Sequence, residues 1–284
     1  MNNLTIKKTR AVLLLAYGAI FLWSFQTHGL PVARMAVLSW VAAAFVVGNI
    51  GQPKRKQMQM AGDLALYAAM WLSYDYSRGT ADSFGFPLQV ELPRNVDKFL
   101  FVGHDPNVWI QEHFWHQQIR WYDVIGSLVY FTHFFVPVAT SVYLWVRYRD
   151  EWVRYMRRFA TVLFAGVLTY IIAPTVPPWM AASTQYKYQI LEPLQRTTGR
   201  GWSWLGLETV SSVLLRGQQW SNPTAALPSL HAAFALFVVV FFWRKFPRDW
   251  MRWTALSFPL AMAVTLVYFG EHYVTDILAG WAYV

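Results

Sequence analysis

Two short stretches of this chain carry residue types that could do chemistry together. One is NPTAALPSLHAAFALF at 222–237 and the other is YFGEHYVTDILAG at 268–280. Pro228 and Ser229 read as a helix start, with serine a good N-cap, so His231 falls in the first turn. The free N–H groups and positive dipole end of such a helix favour a phosphate. His272 and Asp276 are four residues apart and share one face of a helix within hydrogen-bonding reach. A carboxylate on one ring nitrogen fixes the tautomer and leaves the other nitrogen to attack or to accept a proton. Each stretch alone also has a plain reading, as a histidine anchored among headgroups or as an ordinary helix-start pair.

The elements that must position these groups are membrane spans. Of 284 residues, 56% are apolar and 14% charged, and mean hydropathy is +0.26. A soluble domain carries about 25% charged residues, so most of this surface does not face water. Sixteen Trp, 15 Tyr and 20 Phe suit aromatic belts at headgroup depth. The net charge of +9 could suggest nucleic acid, but the basic residues sit in short clusters between apolar runs, and no nucleic-acid partner is expected. With no cysteine, disulfides, thiol catalysis and Cys-based metal sites are excluded. The apolar run after MNNLTIKKTR has no clear small-x-small cleavage site and reads as a retained first span.

Eight candidate spans follow: 11–27, 30–50, 60–77, 121–146, 155–174, 226–243, 252–269 and one starting near 271. The last reaches Val284 after about 14 residues, too short to cross, and is read as truncated. Lys7, Lys8 and Arg10; Lys54, Arg55 and Lys56; Arg147, Arg149, Arg154, Arg157 and Arg158; and Arg244, Lys245, Arg248 and Arg252 all fall on one face, so that face and the N-terminus are expected to be cytoplasmic. Two long loops, roughly 78–120 and 175–225, then lie outside. The first reads as short amphipathic helices in the interface. The second opens with APTVPPW, whose prolines forbid a continuing helix. His231 and His272 are 41 residues apart, which two crossings of about 17–20 residues and a short basic turn consume, so both return to the outer face. The plain readings do not predict that coincidence.

PSLH at 228–231 with GEHYVTDILAG at 270–280 resembles the type 2 phosphatidic acid phosphatase superfamily, whose matching motifs read PSGH and HxxxD. The branch it resembles is that of inositol phosphorylceramide synthase and its bacterial relatives, with PSLH, a Tyr after the histidine and PPW upstream, here at 177–179. The resemblance covers about residues 60–284. It implies an all-α polytopic transmembrane bundle, with a six-helix phosphatase-like core over 60–284 and an accessory two-span segment over 1–59. It implies His272 as the nucleophile that forms a phosphohistidine, Asp276 as its orienting carboxylate, and His231 as the acid that protonates the leaving group and then activates the acceptor. Pro228, Ser229 and Tyr273 are expected beside the substrate.

The superfamily's basic residues are missing here. Position 266, six before His272, is Leu266, and APTVPPW carries no cation. A phosphate still needs one. Arg78, at the outer end of span three with Asp75 and Tyr76, is the leading candidate; Arg216 and Lys187 follow. A snorkelling interfacial arginine is the plain reading of Arg78. His104, His113 and His116 read as solvated interfacial histidines and His133 as packed within span four. No metal or cofactor is expected.

The reading is a membrane enzyme moving a phosphate or phospho-headgroup from a lipid, at the outer face, to a lipid or sugar hydroxyl or to water, with transfer favoured over hydrolysis. If the source is bacterial, the plasma membrane is its place. A transporter would place ionisable groups near the midplane and often carry repeats, and neither is seen. An inactive scaffold is the blandest alternative, and the intact His–His–Asp set argues against it.

Overall fold

The computed structural model describes residues 3–28, 34–80, 83–186, 188, 194–208, 210, 212 and 223–284; the side chains of residues 3, 4, 34 and 77–79 fall outside that description. Among the described residues the fold is all-helical, with only isolated bridges in place of strands. Two compact units are present, and the division falls at 73/74, inside a continuous helix.

The first unit holds α1 (Asn3–His28), α2 (Arg34–Asn49) and most of α3 (Lys54–Thr80). The Tyr17 hydroxyl donates to the Trp40 carbonyl at 3.1 Å, and Phe21 meets the Trp40 ring edge-on. The second unit runs through α4 (Leu92–Leu100), α5 (Pro106–Phe114), α6 (Trp121–Arg147), α7 (Arg149–Ile172), α8 (Pro178–Ala182), α9 (Gly201–Trp204), α10 (Leu230–Phe242), α11 (Asp249–Ala255), α12 (Ser257–Tyr268) and α13 (Val274–Ala282). Among the described residues, four stretches are long and apolar enough to cross a membrane: Thr5–His28, Trp121–Arg147, Arg149–Ile172 and Asp249–Tyr268. The protein is thus an integral membrane helix bundle.

Two expected spans differ in detail. The stretch expected as a helix over 226–243 becomes helical only at Leu230, because Ala226 donates its N–H to the Thr175 carbonyl instead. Thr175 also pairs with Thr224 and its neighbours with Gln89, so three loop segments are laced together. The stretch over 252–269 breaks at Leu256 into α11 and α12. Pro259 has no N–H for the carbonyl four residues back, at Ala255, where α11 ends.

In the second unit α6 packs against α7, α10 and α12, and α10 also packs against α12 and α13. Tyr130, Ala232, Met262, Leu266, Phe269 and Ile277 fill the contact among these helices. The outer helices α4 and α5 are short, and each begins with a proline in its first turn. On α4 Leu92, Val96 and Phe99 are exposed while Asp97 on the opposite face is buried, which suits a helix lying in the membrane interface.

Candidate active site

The turn between α12 and α13 is built by hydrogen bonds that begin at Gly270. Gly270 has φ +69, a conformation that favours glycine, and its N–H bonds the Val267 carbonyl at 3.1 Å while Glu271 N–H reaches Leu266 at 3.0 Å. This pair of bonds closes α12 and turns the chain sharply. Its carbonyls are covered from α5: the Asn107 amide donates to Val267 (2.9 Å) and His272 (3.0 Å), and the Gln111 amide donates to Tyr268 at 2.7 Å. The chain then enters α13 with Asp276 at its third position. The Asp276 carboxylate accepts from the Tyr273 N–H at 3.0 Å, capping the helix, and the same oxygen faces His272 Nδ1 at 3.3 Å. One buried carboxylate therefore starts the helix and orients the histidine.

A second carboxylate supports the same turn from outside. Asp97 of α4, fully buried, accepts from the N–H groups of Val274 and Thr275, both at 2.8 Å, and from the Thr275 hydroxyl at 2.6 Å. Burial raises its pKa to about 6, against the pull of those hydrogen bonds.

His231 reaches this turn because the start of α10 lies directly on α13. Ser229 caps α10 by accepting from Ala232 N–H at 3.3 Å, and its own N–H donates to the Asp276 carbonyl at 2.8 Å. Gly280 permits the approach: a Cβ there would lie 2.3 Å from the Ser229 carbonyl oxygen. The Tyr170 hydroxyl donates to the Pro228 carbonyl at 2.9 Å and fixes the segment from α7.

The result places His231 Nδ1 3.4 Å from His272 Nε2. The line Asp276–His272–His231 is continued by His133 of α6, whose ring centre lies 3.9 Å from that of His231, while Tyr130 stacks on His231 at 5.0 Å. His272 is 5% exposed and His231 half-buried, so His272 is the more shielded of the two.

One cation that the sequence did not single out is tied to the residue just before His272. Arg196 forms a two-pronged pair with Glu271, Nε to Oε1 at 2.8 Å and Nη2 to Oε2 at 3.1 Å, and lies over the Trp179 ring at 4.1 Å. Glu271 immediately precedes His272, and Arg196 interacts electrostatically with Tyr130 as well. Burial would lower the Arg196 pKa, but Glu271, with Tyr130 and Tyr186, together offset it and the net direction is up. Thr198 also donates its hydroxyl to Glu271.

Of the other residues singled out, Pro228 and Ser229 are buried beneath the site as its scaffold. Tyr273 is fully buried and packs with Val176, Met180 and Ala181. Its neighbour in that cluster is the PPW segment, whose Trp179 N–H bonds the Gly270 carbonyl at 2.9 Å. Tyr76 is exposed and Asp75 half-buried on α3. The Arg78 side chain, Lys187 and Arg216 lie outside the described residues. Sequence spacing held no signal for Arg196; His133 read only as packed within span four, and both come to the centre from distant segments.

Two histidines and a carboxylate, gathered at one end of a helical membrane bundle, define a class of phosphate-transfer proteins, and comparison with known families agrees. Residues 96–284 match the PAP2 superfamily, and the chain belongs to it. The phosphoinositol dihydroceramide synthase of Bacteroides thetaiotaomicron is 28% identical over 260 residues, covering 87% of this chain and 80% of the relative. No solved structure matches the chain. The protein is accordingly a phosphotransferase or phosphatase of this superfamily, of the kind that handles membrane lipids.

Proposed function

We propose that this enzyme transfers an inositol phosphate-type headgroup from a donor phospholipid to a lipid hydroxyl, through a phosphohistidine on His272. The observation that carries the reading is His272 held between Asp276 on one nitrogen and His231 on the other. Nδ1–H donates to Asp276, which leaves the Nε2 lone pair to attack phosphorus. In the first step the Nε2–P bond forms, the P–O bond to the donor's lipid alcohol breaks, and that oxygen takes a proton from His231. In the second, neutral His231 accepts the proton of the incoming hydroxyl, the new P–O bond forms and the N–P bond breaks. Phosphoryl transfer asks little else of a protein than positioning and charge neutralisation.

We assign the neutralising charge to Arg196. Its pair with Glu271 uses two of the five guanidinium N–H donors, and the rest remain for phosphate oxygens. The transfer reading, in preference to hydrolysis, is supported by the relative whose name specifies a headgroup synthase. The charge bias of the loops supports an extracytoplasmic site.

The test uses purified enzyme with a donor phosphoinositide labelled in its phosphate and an acceptor lipid carrying a free hydroxyl. Label should move to the acceptor lipid and, on rapid quenching, appear on His272 as an acid-labile phosphoramidate. Label released only as free inositol phosphate or phosphate would show hydrolysis instead. Undiminished turnover in His272→Ala would sink the mechanism.

A further inference from the structure

We infer that the bundle carries a second lipid site, at the end opposite the histidines, which takes the phosphate of an anionic phospholipid. A cavity of about 450 Å³ opens there between the start of α7 and the end of α10. Arg154 and Arg158 enter it from α7, Arg244 and Lys245 from the turn after α10, and Glu151 is the sole carboxylate in its lining. Glu151 pairs with Arg154 at 3.4 Å and Lys245 at 3.2 Å. Among the described residues no acidic side chain pairs with Arg158 or Arg244. The cavity therefore gathers four positive groups around one negative one, and an entering anion relieves their mutual repulsion.

The cavity is not part of the catalytic site. His231 and Arg244 stand thirteen residues apart on α10 and its continuation, about 20 Å along the axis. Its remaining wall is apolar, from Val240, Phe241 and Trp243, with tryptophan a residue suited to headgroup depth. A second cavity of about 280 Å³ shares Arg158, Val240 and Phe241 with the first and adds Val162, Phe237 and Val284, with Thr161 and Tyr283 as its further polar members. A basic pocket that adjoins an apolar groove fits a phosphate joined to an acyl chain better than a free anion. Basic pockets between helices on the cytoplasmic side are a known physical solution for holding anionic headgroups, and this is the face that the basic loops assign to the cytoplasm.

The test measures thermal unfolding and binding on the purified full chain in neutral detergent, with three probes: phosphatidylglycerol, phosphatidylcholine and inorganic phosphate. Phosphatidylglycerol should raise Tm and phosphatidylcholine should not, since a ligand of the folded state stabilises it. Arg158→Gln with Arg244→Gln should weaken phosphatidylglycerol binding about thirtyfold, from roughly fivefold per lost charge near the surface. Arg158→Lys with Arg244→Lys should keep most of the binding and shows that the fold tolerates change there. A charge-matched control, Arg157→Gln with Arg248→Gln, lies outside the cavity and should change little. Equal weakening in the control would mean a diffuse surface potential and overturn the site. An unchanged response in the cavity variant would place the lipid elsewhere, and inorganic phosphate as effective as the lipid would overturn the lipid assignment.

Discussion

His272 has a different partner on each ring nitrogen, and its chemistry depends on that asymmetry. Replacing Asp276 with Asn keeps the volume but offers an amide that can donate to Nδ1, which favours the unproductive tautomer. Asp276→Asn should lower kcat by about 10²-fold or more with little change in KM, measured by initial rates on mixed micelles. His231→Ala should cost a similar factor, and most of that loss should disappear with a donor whose leaving group needs no proton. Arg196→Lys keeps charge but loses the planar fork that grips Glu271, so it should weaken donor binding more than Arg196→Gln weakens the fold; comparing KM with Tm separates the two. The His–His–Asp set was legible because motif residues and a 41-residue separation lie on the surface of the sequence. Arg196 was not, because its partner Glu271 is 75 residues away and nothing local marks the pair.

At the scale of elements, the turn between α12 and α13 is held by α4, α5 and α10 through side-chain and backbone hydrogen bonds. Gly280 lets α13 touch the cap of α10, and a Cβ there would collide with the Ser229 carbonyl. Gly280→Val should therefore destabilise by about 1–3 kcal/mol and separate His231 from His272, seen as a lower Tm together with a larger loss of activity. Asp97 tests the outer support. Its pKa is raised to about 6 by burial, so the folded protein holds its proton more tightly than the unfolded chain. Its contribution to stability is then full below the unfolded value of 3.8 and lost as pH rises through 6. A protonated carboxyl is also a weaker acceptor for Val274 and Thr275. Asp97→Asn should remove this slope from the stability–pH curve, read from Tm measured across pH 3 to 8. The helices themselves were readable from apolar runs. The delayed start of α10 was not, since the bond that draws Ala226 out of the helix comes from Thr175.

At the scale of the whole molecule, the charge distribution separates a basic end from the end that holds the histidines within the second unit. The native chain has no cysteine, so single substitutions report sidedness cleanly. His104→Cys in the loop after α4 should react with an impermeant maleimide on intact cells. Arg248→Cys, before α11, should react only after permeabilisation. The reverse pattern would turn the protein over and with it the face on which the headgroup is exchanged.

Composition and spacing by themselves determined that this is a helical membrane protein with a His–His–Asp centre, because hydrophobic length, positive-inside bias and helical periodicity are all local or additive quantities. The tertiary structure decided what surrounds that centre. Asp97, Asn107, Gln111, His133 and Arg196 reach it from α4, α5, α6 and the second loop, and their roles depend on distances across the fold. Buried polar groups must find partners wherever the packing supplies them. That requirement, met only once the helices are assembled, converts two short motifs into a site.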